Sequence, residues 1–130
     1  MPSLWYEILV KPSWTPSGET IGFIWTILYP IIIFCFVWVC LKAFKGQIPM
    51  VIFWVFLVNA IANIIFTPIQ FGLQNLPLAA VDILVVLGTI ITGMILVFPY
   101  SKLVFVLQIP YLVWVSIATF LQLSITWMNR

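Results

Sequence analysis

The sequence predicts an all-α integral membrane protein with four transmembrane helices. Of its 130 residues, 65% are hydrophobic and only 6% are charged, and the mean hydropathy is +1.25. A soluble domain carries about 25% charged residues, so this chain cannot cover a surface that faces water. The apolar runs are continuous and lack strand-like alternation. Helices, rather than a closed barrel, therefore satisfy the backbone in lipid.

The five basic and three acidic residues divide the chain into apolar runs of the length that a bilayer requires. The uncharged runs are 20–41, 46–81, 83–101 and 103–129. A span needs about 20 residues, so each run holds one helix. The second run is longer, but Pro68, Gly72 and Pro77 break its second half. We therefore predict one membrane domain over 1–130, with helices near 18–42, 49–71, 78–98 and 103–128.

Residues 1–17 precede the first predicted helix and cannot cross a bilayer. Prolines within this segment prevent a continuous helix, so we expect an interfacial segment followed by a stiff loop over Lys11–Pro16. Tyr6 and Trp14 are expected at headgroup level as amphipathic anchors. Thr15, directly before a proline, is expected to cap the first helix.

Each predicted helix carries one stripe of polar, small or aromatic side chains. Spacings of three or four residues place the members of a stripe on one helix face. An uncompensated amide in hydrocarbon costs roughly a few kcal/mol, so these faces should point into the bundle. The stripes contain Trp25, Tyr29, Asn59, Asn63, Phe66, Asp82, Trp114, Ala118 and Gln122. They are consistent with an aromatic-walled ligand cavity, but the pattern alone favours a packed core in which amides join helices.

Asp82 is the one acidic residue that the predicted spans place inside the bundle. A carboxylate in such a position is by default a proton or cation site. It lies only five residues after Pro77, near a predicted helix start, where the helix dipole stabilises a negative charge. We therefore favour a capping or helix-tying role.

Several functional classes lack the residues that they need. The chain has no His, and its two cysteines, Cys35 and Cys40, are five residues apart and do not share a helix face. We therefore expect no metal site. There is no pair of carboxylates and no nucleophile beside a base, so ordinary acid–base or nucleophilic catalysis is not supported. The net charge of +2 comes without a dense basic cluster, so we expect no nucleic-acid partner.

Motifs along nearly the whole chain carry a family resemblance. They are Trp5-Tyr6, the run Lys11-Pro12-Ser13-Trp14-Thr15-Pro16, Gly22, Trp25, Leu28-Tyr29, Asn63, Pro68-Ile69, Phe71-Gly72, Ala80-Val81-Asp82, Pro110-Tyr111-Leu112, Trp114 and Ala118-Thr119. In this order they resemble the translocator protein family, also called tryptophan-rich sensory protein, TspO/MBR or peripheral-type benzodiazepine receptor.

The resemblance implies a TspO-like helical bundle that is often dimeric. Members of the family bind porphyrins, sterols and isoquinoline or benzodiazepine drugs in a pocket under a loop. Carried over to this sequence, the Lys11–Pro16 loop would cover a pocket lined by Trp25, Asn63, Phe66, Trp114 and Ala118. The family has five helices, and its first one normally precedes the Trp-Tyr motif. Only four residues do so here, so we expect a four-helix form or a shortened start.

Stripes and resemblance together predict a membrane receptor or sensor for a flat hydrophobic ligand such as a porphyrin. The predicted ligand-binding residues are Tyr6, Trp14, Ile21, Trp25, Tyr29, Asn63, Phe66, Asp82, Trp114, Ala118 and Gln122. No cofactor is required, and the expected partners are the bilayer, the ligand and a second copy of the chain. Two alternatives remain: light-dependent porphyrin degradation involving Trp25 and Trp114, and a small dimeric transporter coupled through Asp82.

The basic residues predict the orientation by a narrow margin. Lys42, Lys45 and Lys102 lie on one predicted side of the membrane, and Lys11 and Arg130 lie on the other. The positive-inside rule therefore places the Lys42–Lys45 loop in the cytoplasm. We expect the membrane to be a bacterial cell membrane.

Overall fold

A computed structural model describes residues 9–67, 69, 73 and 75–129. Within these residues the chain forms four α-helices and no strand, so the predicted fold class is confirmed. The helices are α1 (Gly18–Phe44), α2 (Met50–Thr67), α3 (Leu76–Val97) and α4 (Lys102–Met128). The helix ends lie within two residues of the predicted ones, with one exception. The second helix was predicted to end at 71, and residues 68 and 70–72 are not among the described ones.

Three of the described helices, α1, α3 and α4, are long and apolar enough to cross a membrane. The remaining helix, α2, has 18 residues, which corresponds to about 27 Å at the helical rise per residue. The hydrocarbon core is about 30 Å thick, and spans of about 17–25 residues are found. The length of α2 is therefore at the short end of what a spanning helix requires.

Short polar side chains begin three of the helices, as helix physics requires, since the first amide groups have no partner within a helix. Their oxygens accept from the backbone amide three residues on, at 3.0–3.2 Å. These caps are Ser17 for α1, Asn75 for α3 and Ser101 for α4.

The cap predicted at Thr15 was wrong. Its hydroxyl donates to the carbonyl oxygen of Pro12 at 2.7 Å, and its amide donates to the same oxygen at 3.1 Å. Thr15 thus closes the turn at the start of the loop. The helix begins two residues later than that prediction requires, with Ser17 as its cap.

The helices form a ring in which α1 neighbours α2 and α4, and α3 packs extensively against both α2 and α4. The approach of α2 to α3 is close at Gly93, because a Cβ there would lie 2.9 Å from Phe56 Cε1. The contacts of α1 with its neighbours are less extensive. The side of the bundle at α1 is therefore the more loosely packed one.

Buried apolar side chains form three clusters along the bundle. One lies towards the 45–49 and 98–101 turns and includes Val39, Ile52 and Val104. The central cluster contains Leu28, Ile83, Val86, Tyr111 and Trp114, with others. The third joins Leu76, Leu121 and Ile125 at the opposite end, where Leu9 packs on it. The candidate site belongs to the central cluster.

Candidate functional site

Four aromatic rings of α1 and α4 form one connected group, and we call them the ring cluster: Trp25, Tyr29, Tyr111 and Trp114. Trp25 stacks on Tyr29, with ring centroids 5.2 Å apart and planes at 24°. Its centroid lies 6.5 Å from that of Tyr111 and 6.4 Å from that of Trp114, in both cases edge to face. Such tilted pairs are favoured by the ring quadrupoles. The cluster thus combines flat ring faces with ring edges on the loosely packed side of the bundle.

A buried hydrogen-bond network lies behind the ring cluster. Asn63 Nδ2 donates to Tyr111 Oη at 2.7 Å, and Tyr111 Oη donates to Asn59 Oδ1 at 3.2 Å. Asn59 Nδ2 in turn donates to the Val86 carbonyl oxygen at 3.2 Å and to Thr89 Oγ1 at 3.0 Å. This amide network joins α2, α3 and α4. Asn59 therefore joins helices through its amide, as the packed-core interpretation of the stripes predicted.

Tyr111 is the residue that the predicted site set missed. Its side chain is fully buried, and its hydroxyl is hydrogen-bonded to both Asn63 and Asn59 of α2. A signal was present in the sequence, because Tyr111 lies one turn before Trp114 and so shares its face. A buried phenol hydroxyl needs a hydrogen-bond partner, and the two amide side chains one turn apart on α2 can provide it.

Three buried side-chain atoms find no hydrogen-bond partner within the described part of the chain. They are Asp82 Oδ2, Trp114 Nε1 and Thr119 Oγ1. The side chains are 7%, 6% and 5% exposed. Buried polar atoms are nearly always paired, because leaving one unpaired costs roughly 1–3 kcal/mol. An indole donor, a carboxyl acceptor and a hydroxyl are therefore free to bind a polar group that enters the bundle.

The capping role favoured for Asp82 was wrong. Asn75 caps α3, and its side chain accepts from the Leu78 amide at 3.0 Å. The helix therefore starts earlier than predicted. Asp82 lies in its second turn, past the free backbone donors that stabilise a carboxylate.

The other predicted site residues on the helices differ in where the structure places them. Partly buried side chains that pack against the central core are Ile21, Trp25, Phe66 and Ala118. Gln122 is buried, and its Nε2 donates to Thr126 Oγ1 at 3.3 Å. Tyr29 is exposed on the α1 side. Tyr6 lies outside the described residues, and its role stays a prediction.

The N-terminal loop packs on the end of α4. Trp14 is exposed, and its ring centroid lies 5.8 Å from that of Phe120, which is also exposed. The structure therefore places Trp14 on the outer face of α4, apart from the ring cluster. Val10 is bound to Asn129 through both its backbone groups, at 3.0 and 2.8 Å. The loop is thus held at the end of α4, whereas Trp114 lies 15 residues before Asn129 in the middle of that helix, about 22 Å along it at the helical rise per residue.

A shallow groove of about 340 Å³ lies on the outside of α4. It is lined by Phe120, Leu123, Ser124, Trp127 and Met128. Most of these side chains are large, apolar and exposed, as expected of a surface that contacts lipid tails. We therefore place the candidate site at the ring cluster.

Comparisons with known proteins agree on one family. A family model described as TspO/MBR family matches residues 1–128. The chain is 39% identical over 127 residues to the uncharacterized membrane protein YtaB of Bacillus subtilis, covering 96% of this chain and 80% of that protein. It is 39% identical over 125 residues to the tryptophan-rich protein TspO of Bacillus cereus, with the same coverage. It is 32% identical over 123 residues to the human translocator protein, covering 91% of this chain and 70% of that one.

Proposed function

Because the chain belongs to the TspO/MBR family, we propose that it is a receptor or sensor that binds a flat hydrophobic ligand inside its bundle. The ligand class is a porphyrin or a planar drug of the isoquinoline or benzodiazepine type. The protein itself is a multi-pass integral membrane protein. The proposed site is the ring cluster, with the Lys11–Pro16 loop as its lid.

One observation carries the proposal: Trp114 turns its indole into the bundle, and its N–H has no partner among the described residues. The side chain is 6% exposed, and Nε1 is among the unpaired buried atoms of the described residues. An aromatic ring that only filled a core would be expected to bury a satisfied donor. Pockets for small molecules combine ring walls with a few unpaired polar groups that orient the ligand. Trp114 contributes both.

The looser packing of α1 supports the same site. Trp25 of α1 meets the rings of Tyr111 and Trp114 of α4 edge to face, while α1 has the least extensive contacts with its neighbours. A planar ligand needs a slot about 3.5–4 Å thick, the separation of atoms in van der Waals contact. A small outward shift of α1 would open such a slot beside Trp25 without breaking the amide network, which joins the other three helices.

The proposal is tested by replacing both tryptophans of the ring cluster. The variant Trp25→Ala/Trp114→Ala should bind protoporphyrin IX at least tenfold more weakly. Stacking of a nucleobase on an aromatic side chain is worth roughly 1–3 kcal/mol, and we expect a similar contribution from each tryptophan against the flat porphyrin. Binding is followed by the Soret absorbance of the porphyrin, which does not depend on the protein's own tryptophans. Trp54→Ala is the matched control, because Trp54 is exposed on α2.

The proposal fails if the double variant, at unchanged helical circular dichroism and elution volume, binds the porphyrin as tightly as the wild type. Equal weakening by Trp54→Ala would also contradict it, because the porphyrin would then be bound on the outer surface.

A second candidate function is light-dependent porphyrin degradation. It is favoured by the pairing of Trp25 and Trp114, whose ring centroids are 6.4 Å apart, because two adjacent indoles could both meet an excited ring. Loss of the Soret band under illumination should then depend on both tryptophans. The variant Trp25→Phe/Trp114→Phe should still bind the porphyrin but should no longer degrade it in light. Equal loss in this variant would remove the candidate.

A further inference from the structure

The register of the helices places three inward polar residues at one level of the bundle. Asn59 of α2 contacts Val86 of α3, so one turn further along these antiparallel helices Asn63 is level with Asp82. We call the level of Asp82 the polar layer.

The contact between α3 and α4 gives the third member of the layer. Thr126 Oγ1 donates to the Leu76 carbonyl oxygen at 3.3 Å. Counting six residues from this contact along each antiparallel helix places Asp82 at the level of position 120, one residue from the buried Thr119. Asp82 and Thr119 are more than nine-tenths buried. Each has an oxygen without a partner in the described residues.

The chain itself provides no cation for this layer within the described residues. Lys42, Lys45 and Lys102 lie at or beyond helix ends, and Lys11 lies in the N-terminal loop, where its Nζ donates to the Leu9 carbonyl oxygen at 3.3 Å. Asp82 Oδ2 accepts no hydrogen bond from any described residue. A carboxyl group in a lipid-embedded bundle is retained at a large desolvation cost, and in membrane proteins such groups typically bind substrates, ions or protons. The layer is therefore chemically an acceptor site.

We propose that Asp82 and Thr119 form an acceptor subsite that selects planar ligands with a cationic or N–H-bearing nitrogen. This inference rests on the proposed function and adds the polarity of the ligand to it. Thr119 lies five residues after Trp114, about 7.5 Å along α4. With Asp82 at the level of Thr119, the same axial offset separates it from Trp114, and a fused-ring ligand of this length would place an acceptor at Trp114 Nε1 and a donor at Asp82 Oδ2. A carboxylate at the polar layer would be repelled, so acidic groups of a ligand point away from it.

The test uses three fused tricyclic probes of matched shape and different polarity: 9-aminoacridine, which is a cation with N–H donors, 9-methylanthracene, which is neutral, and 9-anthracenecarboxylate, which is an anion. The protein is placed in nanodiscs of phosphatidylcholine, and empty nanodiscs correct for partition into lipid. Wild-type protein should bind 9-aminoacridine about tenfold tighter than 9-methylanthracene, as one charge-assisted hydrogen bond provides. The carboxylate should bind most weakly.

Asp82→Asn should reduce the preference for the cation to about threefold or less, since the neutral amide no longer attracts the charge. Affinity for 9-methylanthracene should stay within about twofold. Thr119→Val should reduce the preference by an intermediate factor. Glu19→Gln is the matched control, because it removes the same charge from the exposed first turn of α1, and it should leave the preference unchanged.

Stability separates ligand selection from a structural role. Asp82→Asn should raise the melting temperature of the ligand-free protein while the cation preference falls, because it removes an uncompensated buried carboxyl group. A purely structural Asp82 would lower the melting temperature and weaken all three probes alike.

The inference is overturned if wild-type protein shows no preference among the probes, or if Asp82→Asn retains it. It is also overturned if Glu19→Gln abolishes the preference equally, because surface charge would then explain it. If 9-methylanthracene and protoporphyrin IX still bind through Trp25 and Trp114, the proposed function stands without the subsite. If neither the probes nor the porphyrin bind, both proposals fall.

Discussion

Asn129 and Val10, which are 119 residues apart, are joined by two hydrogen bonds that run in opposite directions. Asn129 Nδ2 donates to the Val10 carbonyl oxygen at 2.8 Å, and the Val10 amide donates to Asn129 Oδ1 at 3.0 Å. Asn129 Nδ2 also donates to the Ile125 carbonyl oxygen of its own helix at 2.8 Å. The side chain therefore fastens the start of the N-terminal loop to the end of α4.

This clamp predicts how fast ligand enters and leaves under the proposed lid. Asn129→Ala removes both bonds to Val10, each worth roughly 0.5–1.5 kcal/mol. We expect the dissociation rate of bound porphyrin in stopped-flow displacement to rise about fivefold or more. Asn129→Asp keeps the acceptor for the Val10 amide and should give an intermediate rate. Unchanged rates in both variants would show that the loop does not control exchange.

Tyr111 is predicted to be a main structural tie of the bundle. Tyr111→Phe leaves the facing groups of Asn63 and Asn59 without their partner, and an unsatisfied buried amide costs roughly 1–3 kcal/mol. We expect a lower melting temperature in detergent and earlier unfolding on titration with sodium dodecyl sulfate. Tyr100→Phe, in the exposed turn between α3 and α4, should change neither. Equal stability of the two variants would contradict the importance of the network.

Close packing of α2 on α3 predicts opposite effects at two glycines of α3. In Gly93→Ala the new methyl group would lie 2.9 Å from the ring of Phe56, which is buried and cannot swing away freely. Overpacking of this kind costs roughly 1–3 kcal/mol. Gly88→Ala meets nothing within 4 Å and should be neutral or stabilising by up to about 1 kcal/mol, because alanine favours helix. Unfolding on titration with sodium dodecyl sulfate compares the two variants. If both are destabilised, the cause is a backbone effect and not the contact with Phe56.

The position of the first helix cap predicts a difference between two neighbouring hydroxyls. Ser17→Ala removes the side-chain acceptor of the Thr20 amide and should cost about 1 kcal/mol. Thr15→Ala removes only a turn contact to Pro12; it should loosen the loop and leave the helix intact. Hydrogen exchange of the first turn of α1 distinguishes the two. If hydrogen exchange of this turn is faster in Thr15→Ala and unchanged in Ser17→Ala, then Thr15 and not Ser17 caps the helix.

Much of the fold could be predicted because it depends on local properties of the chain. Long uncharged runs between charged residues determine helix class and number, and spacing of three or four residues correctly turned Asn59, Asn63 and Trp114 inwards. The two wrong assignments, Thr15 and Asp82 as capping residues, concern helix starts. Several polar residues compete there, and the one with the right backbone angles becomes the cap.

The sequence by itself determined that this chain lies in a membrane as apolar helices, because hydropathy and run length act on each segment separately. Only the tertiary structure decided that Tyr111 bonds to the amides of α2 and that Asn129 holds Val10. It also decided that Asp82 and Trp114 have buried atoms without a partner in the described part of the chain. These pairings depend on how far each helix is shifted along its neighbours. That shift follows from the packing of all the helices together, since residues brought opposite each other are dozens of positions apart in the chain.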